Sequence, residues 1–244
     1  MAKRDRTFRA SAGASAERAA ALYDRGYGDR YRAHDDTLAG SGPYQGFVSW
    51  LQRASGRFEQ PIDVLELGCG TGRYFSALTN ARTITGIDAS ADMLAHARSP
   101  FQQDRISAPV TLIHGDLFTH PFAAGSFDLI YAIGVLAEHA PLNASIVERV
   151  HGLLRPGGRF VFSTVHPDSA SIGLTLGRAI GRAMQPLTFG AARRRLRGRL
   201  LAGGMYADEA WIADVLKTWF AIESLERFVS EAHLHCLCVA RRAA

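Results

Sequence analysis

The chain has 244 residues, a formal charge of +5, and 47% apolar and 21% charged residues. That mixture is typical of a globular domain and excludes a disordered, collagen-like or coiled-coil chain. The longest strongly apolar stretch, Leu129–Ala137, is far shorter than the roughly 20 residues a membrane helix needs, so no transmembrane segment is expected.

Residues 1–15 read as a mobile tail, basic and rich in Ala and Ser but without the apolar run of a secretory signal. Tyr23, Tyr27 and Tyr31 follow at i, i+4 and i+8, the spacing of one helix face. From residue 62 short β-type runs alternate with segments of helical length. The runs are Ile62–Leu67, Thr83–Ile87, Val110–Ile113, Phe127–Tyr131 and Arg159–Val165. A helix is expected to open directly after the first run. Asp88 or Ser90 can cap a helix over Ala91–Arg98, and Asn143 or Ser145 one that continues to Leu154. Pro156-Gly157-Gly158 closes that last helix. Such alternation predicts a parallel sheet with helices on both faces.

The C-terminal part breaks the alternation. Asp208–Lys217 reads as a helix, and Phe220–Phe228 and His233–Ala240 read as strands joined by Val229–Ala232. So short a connection makes them antiparallel, which predicts one reversed strand in an otherwise parallel sheet. Residues 166–205 form a large insertion with apolar positions suited to short amphipathic helices. Arg178, Arg182, Arg193, Arg194, Arg195, Arg197 and Arg199 lie in it with no nearby acid, so the rest of the chain is slightly acidic. An odd count of three cysteines fits reduced thiols and a cytoplasmic setting. His233, His235, Cys236 and Cys238 look like a metal cluster. On a strand, however, the histidines face one way and the cysteines the other, so no metal is expected there.

The most informative stretch is Glu66-Leu67-Gly68-Cys69-Gly70-Thr71-Gly72, at the exit of the first strand. The glycines permit a tight turn and a ligand close to the backbone. A dinucleotide fold would place a pyrophosphate on such a turn. The Glu66 carboxylate opposes a phosphate and favours an ammonium, and the spacing is G-x-G-x-G rather than G-x-G-x-x-G. A nucleoside carrying an amino acid suits that charge; a plain glycine-rich turn with a solvated Glu is the other reading. Asp88 ends the second strand, where it can accept both hydroxyls of a ribose or cap a helix. Asp116 follows the third strand, where it can take an adenine amino group, with Leu117 beside the ring, or serve as a turn residue. In an open α/β sheet the ligand crevice lies at these strand ends.

The set Glu66–Gly72, Gly86-Ile87-Asp88, Gly115-Asp116, Phe127–Ile130 and Leu153–Arg159 resembles the class I S-adenosylmethionine-dependent methyltransferases, over roughly residues 60–165. The resemblance implies a Rossmann-like, seven-stranded, mostly parallel sheet with the last strand antiparallel and a helical cap. It implies that Glu66, Gly68, Cys69, Gly70 and Gly72 hold the amino-acid part of S-adenosylmethionine. Asp88 and Ala89 would hold the ribose, and Asp116, Leu117 and Met93 the adenine. Residues 16–58 would form a lid, with Tyr31 toward the cofactor and Tyr27 toward the acceptor, before a methyltransferase domain over 59–244.

Methyl transfer from a sulfonium mainly needs alignment of acceptor, methyl and sulfur, and exclusion of water. A base matters only when the acceptor must lose a proton. Candidates at the ends of the fourth and fifth strands are Tyr131, Ile133, Glu138 and His139, then His166 and Asp168. Of these, His139 and His166 are the candidate bases, Ile133 a cofactor contact, and Tyr131, Glu138 and Arg178 acceptor contacts. The expected partner is a small-molecule acceptor. An RNA methyltransferase using the arginine segment, or a cofactor-binding protein without catalysis, are the alternatives; the segment lacks interleaved aromatics for stacking bases.

Overall fold

The computed structural model describes residues 21–169, 206–230 and 233–243. Helices α1 (Arg25–Thr37) and α2 (Gly42–Ser55) precede the sheet. The sheet holds β1 (Ile62–Leu67), β2 (Ala81–Asp88), β3 (Val110–His114), β4 (Phe127–Ala132), β5 (Leu154–Val165), β6 (Phe220–Ser230) and β7 (His233–Arg242). Helices α3 (Ala91–Ala97), α4 (Ala144–Leu153) and α5 (Glu209–Leu216) are the other α-helices among the described residues. The strands lie in the order β3-β2-β1-β4-β5-β7-β6. All neighbours from β3 to β5 are parallel, and β7 runs antiparallel to both β5 and β6. The expected sheet with one reversed strand is the one observed.

Each face has its own core, because alternate residues of a strand point to opposite sides. On one face Val64, Ile84, Leu129, Val161 and Leu237 meet Phe47, Trp50, Leu51 and Ala54 of α2. On the other Leu65, Leu67, Ile130, Phe160 and Phe162 meet Ile146, Val147 and Val150 of α4 and Ile212 and Leu216 of α5. Cys236 and Cys238 belong to this second core, while His235 packs against Phe47 on the first, so the alternation across β7 holds. The edge strand β6 is studded with Glu223, Glu226 and Arg227, which discourages pairing with another chain.

The caps resolve to Ser90 for α3, Asn143 for α4 and Asp208 for α5. Pro156-Gly157-Gly158 does more than end α4: β5 begins at Leu154 opposite Phe127, and the register shifts so that Arg159 pairs with Leu129. The helix expected directly after β1 does not form. Gly68, Gly70 and Gly72 all take positive φ (69°, 54° and 75°), so the loop is a run of tight turns. Between that loop and β2 only a 3₁₀ turn at Phe75–Ala77 appears. Nor do the three N-terminal tyrosines share one helix. Asp24 accepts the Tyr27 N–H and starts α1 there, which leaves Tyr23 outside it. The arginine segment, Arg178 and the N-terminal tail fall outside the described residues.

Candidate functional site

A cavity of 660 Å³ opens at the C-terminal ends of β1 to β4, where sheet geometry places a ligand crevice. Glu66, Asp88 and Asp116, each at or just beyond the end of a successive strand, all line it. So do Tyr27, Tyr31, Gly68, Cys69, Gly70, Ala89, Met93, Leu117, Ile133, Glu138 and His139. Some sequence candidates stand apart. Gly72 lies against Phe75 and Pro100, where a Cβ would collide. Tyr131 is wholly buried beneath the floor and donates its hydroxyl hydrogen to Glu66 Oε2 at 2.6 Å.

The glycine loop fits its place by sterics. A Cβ on Gly68 would sit 2.6 Å from the Val135 side chain, so the loop passes β4's exit without room for any other residue. Gly68 N–H and Cys69 N–H both donate to the Ile87 carbonyl, which pins the loop over β2. Asp88 Oδ2 accepts the Gly70 N–H and its Oδ1 the Ser90 N–H, both at 2.8 Å. The carboxylate is thereby fixed by the backbone. Asp116 is held by its own turn, taking the Phe118 N–H and the Thr119 hydroxyl. Burial raises the Asp88 pKa, and raises that of Glu66 well above the usual carboxylate range, although the Tyr131 bond acts the other way. An unpaired buried carboxylate of this kind favours a cationic partner.

α1 supplies a group that the motifs do not announce. Asp35, wholly buried, accepts the Thr71 hydroxyl at 2.6 Å and Arg73 Nε at 2.5 Å. The Arg73 guanidinium lies 4.0 Å from the Tyr31 ring centroid, a cation–π contact. Burial of Tyr31 lifts its pKa to about 12. Arg73 Nη2 is buried, has no hydrogen-bond partner and belongs to a cavity wall. The sequence signal was a lone cation directly after Gly72; its acidic partner sits nearly forty positions upstream, with no spacing rule to link them.

The far part of the cavity is shaped by the turn between β4 and α4. Gly134 and Ala137 both have positive φ (71° and 59°), and the N–H groups of His139 and Ala140 donate to the Val135 carbonyl. The turn brings Glu138 and His139 to the wall. The Tyr23 hydroxyl and His139 Nε2 are hydrogen-bonded at 2.6 Å, and burial lowers the His139 pKa. Ser230 and His235 of β6 and β7 complete this end, with Ser230 Oγ 2.7 Å from His235 Nε2. The sequence reading considered His235 only as a metal ligand and did not connect it with the acceptor side.

His166 is not part of the cavity wall. It is wholly buried at the end of β5, within 4.8 Å of ligand atoms of Glu209 and Cys236. Its Nδ1 accepts the Asp168 N–H at 3.0 Å. A neutral imidazole has one ring lone pair, so this bond leaves Nε2 protonated and without a lone pair for a metal.

Residues 64–158 match the family model described as a methyltransferase domain. Among curated proteins, the chain is 32% identical over 139 residues to a malonyl-[acyl-carrier protein] O-methyltransferase of Pectobacterium atrosepticum, covering 54% of this chain and 52% of that protein. The chain spans about half the length, or much less, of the curated relatives it matches. Among solved structures, an S-adenosylmethionine dependent methyltransferase from Mesorhizobium loti superposes with a TM-score of 0.57 at 25% identity, covering 82% of this chain and 100% of that one. The N-methyltransferase NodS from Bradyrhizobium japonicum, in complex with S-adenosyl-L-homocysteine, gives 0.59 at 18% identity, covering 85% and 91%. The fold is that of the class I S-adenosylmethionine-dependent methyltransferases.

Proposed function

We propose that this chain, whose residues 64–158 form a methyltransferase domain, transfers a methyl group from S-adenosylmethionine to a small-molecule acceptor. The observation that carries the reading is the convergence of Glu66, Asp88 and Asp116 on one cavity beside the positive-φ Gly68–Gly70 turn. The bound cofactor supplies an activated methyl on a positive sulfur.

The residues fit that cofactor from two directions. Glu66 is a desolvated carboxylate hydrogen-bonded to the neutral Tyr131 hydroxyl, which suits the amino-acid ammonium. The unpartnered Arg73 Nη2 suits the amino-acid carboxylate. Asp88 then takes the ribose hydroxyls with its remaining lone pairs, and Met93 and Leu117 flank the adenine near Asp116. Tyr27 and Tyr31 of α1 line this half of the cavity, and Glu138 and His139 face the acceptor.

Cys69, Cys236 and Cys238 are all buried free thiols, and no helix among the described residues is long and apolar enough to cross a membrane. We infer a cytoplasmic location from the reduced thiols.

Calorimetry with S-adenosylhomocysteine, followed by methyl transfer over a metabolite panel, tests the reading. Tight binding of that nucleoside and turnover of a small acceptor are expected. Binding of NADH with no heat from S-adenosylhomocysteine would overturn it. Turnover of RNA in place of metabolites, with affinity falling steeply as salt rises, would move the acceptor to nucleic acid.

A further inference from the structure

Two buried polar atoms at the acceptor end of the cavity face each other without hydrogen bonds. Glu138 Oε1 and His235 Nδ1 are 4.0 Å apart, and neither has a partner. Glu138 comes from the β4–α4 turn and His235 from β7, so only the fold brings them together. Ser230 holds the imidazole from behind through Nε2. When the Ser230 hydroxyl donates to Nε2, the tautomer rule places the remaining proton on Nδ1, toward Glu138. The Glu138 side chain keeps 18% exposure while Oε1 is sealed, so Oε1 contributes almost nothing to what the side chain shows the cavity.

We propose that Glu138 is the general base for a hydroxyl acceptor, with His235, backed by Ser230, as its positioning residue. The inference rests on the cofactor reading above. Among acceptors, a hydroxyl most needs a base. A neutral amine attacks first and sheds its proton afterwards, a thiol ionises more readily, and a carboxylate is already anionic and repelled by Glu138. In the step, the hydroxyl oxygen bonds the methyl carbon as the carbon–sulfur bond breaks. The bond pair stays on sulfur, and the hydroxyl proton passes to Glu138 Oε2. His235 Nδ1–H supports the carboxylate at Oε1.

Burial alone lifts the Glu138 pKa to about 7, and burial, helped by His233, lowers that of His235 to about 4. The other titratable groups near Glu138 are Tyr23, Tyr31 and His139. A base near 7 matches a phenol, whose pKa is about 10 as in tyrosine, far better than an aliphatic alcohol. The walls also suit a flat ring, with Tyr23, Tyr27 and Phe47 lining the same cavity. The acceptor class is therefore a phenolic or enolic hydroxyl.

The test has two arms. With S-adenosylhomocysteine bound, phenol, catechol and 2-naphthol are titrated against anisole by calorimetry. At least a fivefold preference for the free hydroxyl is expected, and its loss in Glu138→Gln. Methyl transfer is then compared across these phenols, aniline, thiophenol and cyclohexanol. Phenols should react, with a rate that rises with pH through about 7. Glu138→Gln should lower kcat at least 100-fold at unchanged S-adenosylhomocysteine affinity, which also shows that the variant folds. His235→Phe should move the pH midpoint upward, and His235→Asn, which restores a donor, should move it partly back. Methylation of aniline or thiophenol with phenols inert, no phenol methylated, equal binding of anisole, or a flat pH profile each overturns the assignment. Absence of S-adenosylhomocysteine binding in the wild type instead sinks the cofactor reading beneath it.

Discussion

Glu66 is the residue on which cofactor selection turns, because its carboxylate is desolvated and paired only to a neutral phenol. Its raised pKa makes it proton-rich in the empty cavity, and an incoming ammonium would drive that proton off. S-adenosylhomocysteine binding should therefore release a proton at pH values below the raised pKa, and affinity should increase as pH rises toward it. Calorimetry in buffers of different ionisation enthalpy reads the release directly. Glu66→Gln should abolish it and weaken binding about tenfold or more, the scale of a charge-assisted hydrogen bond. A variant that still releases the proton would place the ammonium elsewhere. Asp88→Ala should weaken binding for a different reason: it removes the clamp on Gly70 N–H as well as the ribose contact.

Among elements, α1 and α2 decide how the cavity is closed. α1 is tied to the glycine loop by Asp35, which satisfies both Thr71 and Arg73. Asp35→Ala leaves a largely buried guanidinium without its counter-ion and should destabilise the fold by about 3–5 kcal/mol. Urea unfolding measures it, and an unchanged midpoint would show that water compensates Arg73. α2 approaches β6 so closely that a Cβ on Gly46 would lie 2.4 Å from the Phe228 ring. Gly46→Ala raises helix propensity by about 1 kcal/mol, but overpacking of this kind costs about 1–3 kcal/mol. Net destabilisation is expected, and a rise in the thermal midpoint would show that Phe228 can move aside. The absent helix after β1 belongs to this scale too: three left-handed glycines carry the chain through tight turns where the helix was expected to open.

Across the whole molecule, binding and bracing occupy opposite ends of the sheet. The cavity sits at the strands' C-terminal ends, while Asp63 near the start of β1 joins Arg82, Thr83 and Arg155, and Arg155 also reaches Asp128. Chiefly through its hydrogen bonds to Arg82, Asp63 has a pKa well below the ordinary carboxylate value. A depressed folded pKa gives stability that is present above the unfolded pKa of about 3.9 and is lost as pH falls through the folded one. Asp63→Asn should therefore be less stable than wild type at pH 7, and the gap should close as acid protonates Asp63. Chemical unfolding across that range checks it; a gap independent of pH would assign the effect to packing. The substitution should not alter cofactor affinity, because the network is remote from the cavity.

The sheet, its reversed strand, the choice of two residues for each of two helix caps and the three acids at strand ends were legible in the sequence, because each depends on neighbours within a few positions. Period-two alternation, a capping side chain and a glycine turn are local physics. The Asp35–Arg73 clamp, the withdrawal of His166 from the cavity and the meeting of Glu138 with His235 were settled only by tertiary structure. Each of these joins or separates groups on different elements, and a charge or lone pair reveals its partner only when strand order and helix docking have fixed the distance between them.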